Sequence, residues 1–259
     1  MDLGLTGKVA LVTGAGRGVG NGVSRVLARE GATVIAVSRG PDGLKALETE
    51  LPDSNNHRYI CLDLLEESAV QRLLNQIHDE DLLPDIIINN VGGPLDATDP
   101  LRTLDIWRNI IRLNLEIAIE INETLIPYMQ AKSWGRICHI SSISGLENHG
   151  APAYCAAKAA LIAYVRSVAR YVASDNVILS AVIPGAIHTG DGYWDSVRHT
   201  RPDHYKQFVN DRMAINRLGT VTEISEVTGF LVSDLASFCV GACVVVDGGQ
   251  GRSFYPDLS

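Results

Sequence analysis

The segment Tyr154-Cys155-Ala156-Ala157-Lys158 carries a phenol and an ammonium group four positions apart. It opens a stretch of helical period, and side chains at this spacing share one face of a helix. A free tyrosine titrates at about pH 10 and is a poor base at neutral pH, but a neighbouring ammonium stabilises the phenolate and lowers its pKa. The pair therefore predicts that Tyr154 acts as a general acid or base and that Lys158 tunes it.

Two further polar features adjoin predicted apolar elements. The segment Ile140-Ser141-Ser142-Ile143-Ser144-Gly145 follows a predicted strand and supplies hydroxyl groups that can hold a substrate oxygen. Asn114 lies between two leucines in a predicted helix, where an asparagine is unfavourable unless its amide finds partners. Both features are candidates for the same site.

The segment Thr13-Gly14-Ala15-Gly16-Arg17-Gly18-Val19-Gly20 joins a predicted strand to a predicted helix. Glycines let the backbone turn sharply and approach a pyrophosphate, whose charge is met by the free N–H groups and the positive dipole of a helix N-terminus. A tight strand-to-helix connection is the plain alternative. The position between strand and helix favours dinucleotide binding.

The elements that must position these residues alternate along the chain. Short runs rich in valine and isoleucine predict strands at 9–13, 33–37, 58–61, 85–89, 136–140, 177–183 and 243–246. Stretches of helical period predict helices at 21–29, 43–51, 66–78, 104–132, 154–173 and 221–234. The sequence therefore predicts one α/β domain over residues 1–259, a Rossmann fold with a doubly wound parallel sheet of about seven strands and helices on both faces.

The glycine segment, Asn89-Asn90-Val91-Gly92 and the Tyr154 and Lys158 pair resemble the short-chain dehydrogenase/reductase family. The likeness continues through Pro184-Gly185-Ala186-Ile187-His188-Thr189 and Val244-Val245-Val246-Asp247-Gly248-Gly249 and covers nearly the whole chain. Within this family, the chain resembles members of the 3-oxoacyl-(acyl-carrier-protein) reductase type and the sugar and polyol dehydrogenases. The resemblance implies an NAD(P)-dependent enzyme that moves a hydride between nicotinamide and a carbonyl or alcohol carbon.

The same resemblance assigns catalytic roles. It implies that Ser142 holds the substrate oxygen, that Tyr154 exchanges the proton with assistance from Lys158, and that Asn114 positions a water chain leading to the lysine. Ser142 stands 12 positions before Tyr154, one fewer than in many relatives. Ser141 and Ser144 remain less favoured alternatives.

The residues after the second predicted strand favour NADP over NAD. Ser38 stands where NAD-binding domains usually present a carboxylate, and the guanidinium groups of Arg39 and Arg17 can bind a 2′-phosphate. By resemblance, the backbone near Ile187 and the hydroxyl of Thr189 meet the nicotinamide carboxamide. The full set of predicted cofactor contacts is Gly14, Gly16, Arg17, Gly18, Val19, Gly20, Ser38, Arg39, Asp63, Leu64, Asn90, Val91, Gly92, Tyr154, Lys158, Pro184, Gly185, Ile187 and Thr189.

Residues 190–212 follow the segment 184–189, which the resemblance places at the nicotinamide. They are expected to form a loop that acts as a lid over the substrate. This lid is rich in aromatic and cationic residues in an acidic chain, namely Tyr193, Trp194, Arg198, His199, Arg201, His204, Tyr205, Lys206 and Arg212. One interpretation is an anionic small-molecule substrate, such as an acidic sugar or a ketone linked to an acyl carrier. A solvated lid whose charges meet nearby aspartates is at least as well supported.

The bulk properties exclude several partner classes. A formal net charge of −8 argues against nucleic-acid and anionic-membrane surfaces. The N-terminus lacks a signal-peptide pattern and no apolar run is long enough to span a membrane, which indicates a cytoplasmic protein. Five cysteines without a CxxC pair indicate buried reduced thiols, and the histidine spacing indicates no metal site.

The family resemblance also predicts a homotetramer, assembled through the last strand, the preceding helix and two central helices. The tail Arg252-Ser253-Phe254-Tyr255-Pro256 is expected to pack across a subunit boundary.

Two other functions stay open at this point. A sugar-nucleotide epimerase or dehydratase has a similar tyrosine and lysine pair, but that group usually has a TGxxGxxG loop and a longer chain. A non-catalytic dinucleotide-sensing protein can use the same fold, since fold does not dictate function. Such proteins tend to lose the tyrosine or the lysine, and both are present here.

Overall fold

A computed structural model of the chain describes residues 2–52, 56–95, 99–147 and 150–252. Seven strands in these ranges form one parallel sheet: β1 (Val9–Thr13), β2 (Thr33–Ser38), β3 (Arg58–Cys61), β4 (Ile86–Asn89), β5 (Gly135–Ile140), β6 (Val177–Pro184) and β9 (Cys243–Val246). A separate pair of short parallel strands is formed by β7 (Ile187–His188) and β8 (Gly219–Thr220).

The order of the main sheet is β3-β2-β1-β4-β5-β6-β9. Successive strands are added on one side of β1 up to β3 and on its other side from β4 onwards, so the strand order reverses between β1 and β4. Ligands of such sheets bind at this point, in the crevice outside the carboxyl ends of the strands. The segments that follow β1 and β4 are the glycine segment and Asn90-Val91-Gly92, so the topology places both beside the crevice.

The helices that flank the sheet are α1 (Gly18–Arg29), α2 (Pro41–Glu50), α3 (Ala69–Asp79), α4 (Leu104–Ile111), α5 (Ile117–Ala131), α6 (Ser144–Glu147), α7 (Pro152–Val172) and α10 (Val221–Leu231). They cover both faces because the strands are buried runs of valine, isoleucine and leucine. One core lies under α1, α2 and α10 and includes Leu27, Leu47 and Ile224. The other lies under α3, α5 and α7 and includes Leu73, Ile121 and Val165.

This architecture confirms the predicted Rossmann-type α/β fold, with differences at several helix ends. The helix predicted from 21 begins at Gly18, and that predicted from 43 begins at Pro41, where proline suits a first helical position. The predicted helix over 104–132 is interrupted by a π-helical turn, Arg112–Glu116, between α4 and α5.

The lid prediction was wrong in one respect, because residues 190–212 are mainly helical rather than a loop. They form α8 (Tyr193–Thr200) and α9 (Pro202–Arg212). The two helices pack on each other through Trp194 and Phe208, whose ring centres are 4.0 Å apart. Apolar side chains on the facing sides of α8 and α9 pack with Met213 and Leu218. They form a small hydrophobic cluster separate from the two main cores.

The prediction of buried thiols is correct for Cys138 and Cys155 and wrong for Cys61, which is exposed at the end of the edge strand β3. Cys239 and Cys243 are partly buried, and all five cysteines are free. Across the described ranges, none of the helices has the length and apolar character needed to cross a bilayer.

Candidate active site

The glycine segment has a shape that side chains would block. Gly14 and Gly18 have φ angles of +69° and +54°, in the left-handed region that favours glycine. A Cβ atom on Gly20 would collide with the carbonyl oxygen of Gly14 and with the amide nitrogen of Asn90. Helix α1 therefore starts close against the sheet, and its first residues, Gly18 and Val19, face a cleft.

A network of hydrogen bonds ties the glycine segment to the end of β4. The hydroxyl of Thr13 donates to the carbonyl of Ile88 at 3.2 Å and accepts the N–H of Asn90 at 3.0 Å. The side-chain amide of Asn90 donates to the carbonyls of Thr13 and Gly14 at 2.9 and 3.2 Å. Asn90 thus fixes two neighbouring strand ends that border the crevice.

The cleft has a volume of about 630 Å³ and runs along the carboxyl edge of the sheet. The predicted cofactor residues that line it are Gly14, Arg17, Gly18, Val19, Ser38, Arg39, Asp63, Leu64, Asn90, Val91, Gly92, Tyr154 and Thr189. The other predicted cofactor residues, Gly16, Gly20, Lys158, Pro184, Gly185 and Ile187, lie outside its lining. A larger cavity of about 710 Å³ lies between α1 and α10, away from Tyr154, and we assign no chemistry to it.

One end of the cleft carries the residues predicted to select NADP. Ser38 ends β2 beside the glycine segment, so that a Cβ on Gly16 would come within 2.5 Å of the Ser38 hydroxyl. Arg39 is exposed at the cleft. Arg17 forms an ion pair with Asp191 at 2.7 Å, which joins the glycine segment to the segment after β7.

The structure brings Ser142, Tyr154 and Lys158 together. The Ser142 side chain lies close enough to the phenol of Tyr154 to lower its pKa. The Lys158 ammonium lies 5.7 Å from the centre of the Tyr154 ring and donates to the carbonyl of Ile140 at 2.8 Å. Ser141 points elsewhere, because its buried hydroxyl donates to the carbonyl of Lys158. Ser142 is the serine of this segment that influences the pKa of Tyr154.

Burial dominates the electrostatics of this group. Desolvation raises the pKa of Tyr154, although the hydrogen bond with Ser142 opposes the change. Desolvation also lowers the pKa of Lys158 to about 8. The expectation of a lowered pKa for the phenol is therefore wrong for this structure, because burial disfavours the charged phenolate.

Asn114 lies in the π-helical turn between α4 and α5 and is buried. Its amide nitrogen donates to the carbonyls of Ile110 and Gly93, both at 2.9 Å, and its amide oxygen accepts the N–H of Gly93 at 2.9 Å. A Cβ on Gly92 would lie 2.7 Å from this amide oxygen and 3.0 Å from the Lys158 nitrogen, so Asn114 and Lys158 flank the same stretch of backbone. The partners that the sequence demanded for this asparagine are thus present.

The segment 184–189, which is predicted to contact nicotinamide, is held by a residue that the sequence analysis missed. Gln250 is 7% exposed, and its side-chain oxygen accepts the N–H of Ala186 at 2.6 Å. The carbonyl of Ala186 accepts the N–H of Gly219, which ties the segment to β8. A glutamine directly after the Asp247-Gly248-Gly249 turn was the available signal, but its partner lies 64 residues away in the sequence.

The aromatic and cationic residues of the lid do not line the cleft, whereas Asp191 and Gly192 at its start do. Trp194, Tyr205 and Phe208 are partly buried against each other and against Met213. Arg198, His199 and Lys206 are exposed, and Arg201 donates to the hydroxyl of Tyr193 at 3.1 Å. The lid therefore packs Trp194, Tyr205 and Phe208 partly inside, whereas Tyr193 and the side chains of Arg198 and Lys206 are exposed.

Comparison with known proteins agrees with this geometry. The family model described as short chain dehydrogenase matches residues 8–193. The 3-oxoacyl-(acyl-carrier-protein) reductase FabG of Pseudomonas aeruginosa is 35% identical over 251 residues, which cover 96% of this chain and 99% of that protein.

Two solved structures are similar over almost the whole chain. L-sorbose reductase from Gluconobacter frateurii, complexed with NADPH and L-sorbose, has a TM-score of 0.89 and 26% identity, and the match covers 98% of this chain and 100% of that one. A 3-oxoacyl (acyl-carrier-protein) reductase from Agrobacterium tumefaciens with NADP bound has a TM-score of 0.86 and 28% identity, with 96% of each chain covered.

Proposed function

The chain belongs to the short chain dehydrogenase family and is an NAD(P)-dependent oxidoreductase, and from that premise we propose that it interconverts a carbonyl and a secondary alcohol with Tyr154 as the general acid or base. The single observation that carries the proposal is that Tyr154 lines the cleft, with the Lys158 ammonium beside its ring and Ser142 close enough to influence its pKa. The glycine segment, suited to a pyrophosphate, lines the same cleft.

In the direction of reduction, the bound nicotinamide supplies the hydride to the carbonyl carbon. The Tyr154 O–H donates its proton to the carbonyl oxygen, and the Ser142 hydroxyl donates a hydrogen bond to the same oxygen as negative charge develops there. The raised pKa of Tyr154 keeps the phenol protonated at neutral pH and ready to donate. Lys158, held by the carbonyl of Ile140, lies next to the ring and stabilises the phenolate that results.

NADP(H) is the proposed cofactor. Position 38 is a serine, so the cleft lacks the carboxylate that would repel a 2′-phosphate there, and Arg39 follows it at the cleft. The similar sorbose reductase and acyl-carrier-protein reductase structures hold NADPH and NADP. We assign Arg39 as the principal partner of the 2′-phosphate, since Arg17 is already paired with Asp191.

The proposed substrate is an anionic carbonyl compound, either a ketone linked to an acyl carrier or an acidic sugar. Support comes from the similarity to 3-oxoacyl-(acyl-carrier-protein) reductases and from the exposed Arg198 and Lys206 of α8 and α9, which lie outside the lining of the cleft. Oxidoreductase relatives that match along nearly the full chain favour this function over the epimerase and the non-catalytic sensor.

The homotetramer stays a prediction. It is supported by apolar side chains near the unpaired edge of β9, where Phe238 is 99% and Leu235 is 53% exposed. Of the tail that is expected to cross a subunit boundary, residues 253–256 lie outside the described part of the chain.

The substitution Tyr154→Phe tests the proposed chemistry. Loss of the phenolic O–H removes the proton donor, so kcat should fall by about 10²- to 10⁴-fold while NADPH binding persists. NADPH oxidation at about 340 nm is followed with 3-oxoacyl thioesters, acidic ketoses and neutral sugar ketones. Tyr171→Phe, at an exposed position on the same helix, is the matched control and should leave the rate unchanged.

Turnover by Tyr154→Phe within a few fold of the parent enzyme would refute the role of Tyr154. A preference for neutral ketones that is unaffected by Arg198→Ala or Arg201→Ala would refute the anionic substrate and leave the reaction type standing.

A further inference from the structure

Asp195, in the first turn of α8, collects hydrogen bonds from the segment that follows β7. One carboxylate oxygen accepts the backbone N–H groups of Thr189, Gly190 and Gly192 at 3.0, 3.0 and 3.1 Å. The Thr189 hydroxyl is 3.5 Å from the same oxygen. The second carboxylate oxygen lies 2.9 Å from Nδ1 of His188. One side chain thus contacts four of the five positions from His188 to Gly192, all except Asp191.

The carboxylate is ionised throughout the neutral pH range. Burial opposes ionisation, but the hydrogen bonds from Thr189, His188 and Gly192 outweigh it and lower the pKa of Asp195 to about 2. A negative charge that accepts several N–H groups forms charge-assisted bonds, which are stronger than neutral ones. Asp195 is therefore a charged acceptor for these contacts at the neutral pH of an assay.

His188 extends the network to the second lid helix. Its Nε2 atom lies 2.9 Å from the hydroxyl of Tyr205 on α9. Because an ionised carboxylate only accepts hydrogen bonds, Nδ1 is the donor in the contact with Asp195. Both lid helices are thereby connected to His188 at the end of β7, and the next residue, Thr189, lines the cleft.

Thr189 is the point at which this network meets the cofactor cleft. It lines the cleft, and a Cβ on Gly18 would lie 3.5 Å from its methyl group. The following residue, Gly190, has a φ of +92°, a conformation that needs external contacts to hold it in one place. Three backbone N–H groups in this turn depend on one carboxylate oxygen, so its removal leaves them without that acceptor.

We propose that Asp195 is a positioning residue for the nicotinamide half of the cofactor, which it orients by fixing the backbone and hydroxyl of Thr189. The inference rests on the proposed function, because Thr189 is taken to contact the nicotinamide. Asp195 belongs to α8, and its carboxylate also accepts the N–H groups of Thr189 and Gly192, which line the cleft. The same carboxylate therefore connects the first helix of the lid to the cleft.

The test compares two ligands that share the adenosine end of the cofactor. NADPH reaches the whole cleft, whereas adenosine 2′,5′-bisphosphate has no nicotinamide. Dissociation constants are measured by titration calorimetry for the parent enzyme, Asp195→Asn and Asp195→Ala. Asp203→Asn, an exposed aspartate at the start of α9, is the control for the loss of one charge from the lid.

We expect both Asp195 variants to bind NADPH about tenfold more weakly, the effect of losing one or two charge-assisted hydrogen bonds, and to bind the bisphosphate as the parent does. Asp203→Asn should bind both ligands as the parent does. Unchanged binding of the bisphosphate also shows that the variants are folded.

Three results would count against these statements. If the parent enzyme does not bind NADPH, the proposed function fails. If the parent binds NADPH and the Asp195 variants bind it equally well, the inference fails and the proposed function stands. If the variants lose affinity for both ligands to the same extent, Asp195 stabilises the fold in general and is not a positioning residue for the nicotinamide.

Discussion

Replacing Lys158 by methionine should stabilise the folded protein at neutral pH while abolishing turnover. Lys158 is 3% exposed, and burial lowers its pKa from 10.5 to about 8. Methionine has a similar length and no charge, so Lys158→Met removes the cost of burying an ammonium group. It also removes the hydrogen bond to the carbonyl of Ile140.

The size and sign of the effect follow from the two pKa values. A tenfold change in a proton equilibrium is worth about 1.4 kcal/mol, so the fall from 10.5 to about 8 costs the folded state roughly 3 kcal/mol at pH 7. Between these two values the unfolded chain binds more protons than the folded chain, so the penalty shrinks as the pH rises and is about 1 kcal/mol at pH 10. The lost hydrogen bond offsets about 1 kcal/mol at every pH.

Lys158→Met should therefore be about 2 kcal/mol more stable than the parent at pH 7 and about equally stable at pH 10. Urea unfolding at both pH values, at one fixed protein concentration, measures the difference between the two proteins. Lys206→Met, on the exposed side of α9, is the control and should show a difference that does not change with pH.

A stability difference between Lys158→Met and the parent that is the same at pH 7 and pH 10 would refute the reasoning, because it would mean that folding does not change the proton affinity of Lys158. A variant that is less stable than the parent at pH 7 would show that the hydrogen bond to Ile140 outweighs the desolvation of the ammonium.

Two further predictions concern the cofactor. Arg39→Asp should lower the preference for NADPH over NADH in kcat/KM by about 10- to 100-fold, because a charge-assisted bond to the 2′-phosphate is replaced by repulsion. Steady-state kinetics with both nucleotides measures this preference, and an unchanged ratio would contradict the NADP assignment. Gln250→Met keeps the length of the side chain but leaves the N–H of Ala186 without its acceptor, so KM for NADPH should rise about fivefold and the free energy of unfolding should fall by about 1–3 kcal/mol. Equal KM and equal stability in the Gln250→Met variant would show that this hydrogen bond is dispensable.

Much of the fold could be predicted because its signals are local. A strand covered on both faces is a short apolar run wherever it stands, and all seven predicted strands of the main sheet are present. Glycines at 14 and 18 meet a backbone requirement within their own turn, which their positive φ angles show. Helix ends were less accurate, as at Gly18, because a glycine disfavours a helix locally and tertiary contacts decide whether it is included.

The π-helical turn at Asn114 could not be read from the sequence. An asparagine between leucines indicated that partners were needed. Ile110 is a local partner four residues earlier, but the Gly93 backbone, 21 residues away, is a partner that only the tertiary structure supplies. The lid was predicted as a loop because its composition is polar. It forms two short helices instead, since their few apolar side chains face each other and pack together.

The sequence by itself determined the chemical groups and their local geometry, namely a phenol and an ammonium one helical turn apart and a glycine segment at the start of a helix. Only the tertiary structure decided the proton affinities and the contacts that fix the segment after β6. Burial raises the pKa of Tyr154, and the side chains of Asp195 and Gln250 accept the backbone N–H groups of Thr189 and Ala186. Spacing along a chain sets which side chains share a face, whereas desolvation and the choice of hydrogen-bond partners depend on which elements meet in space.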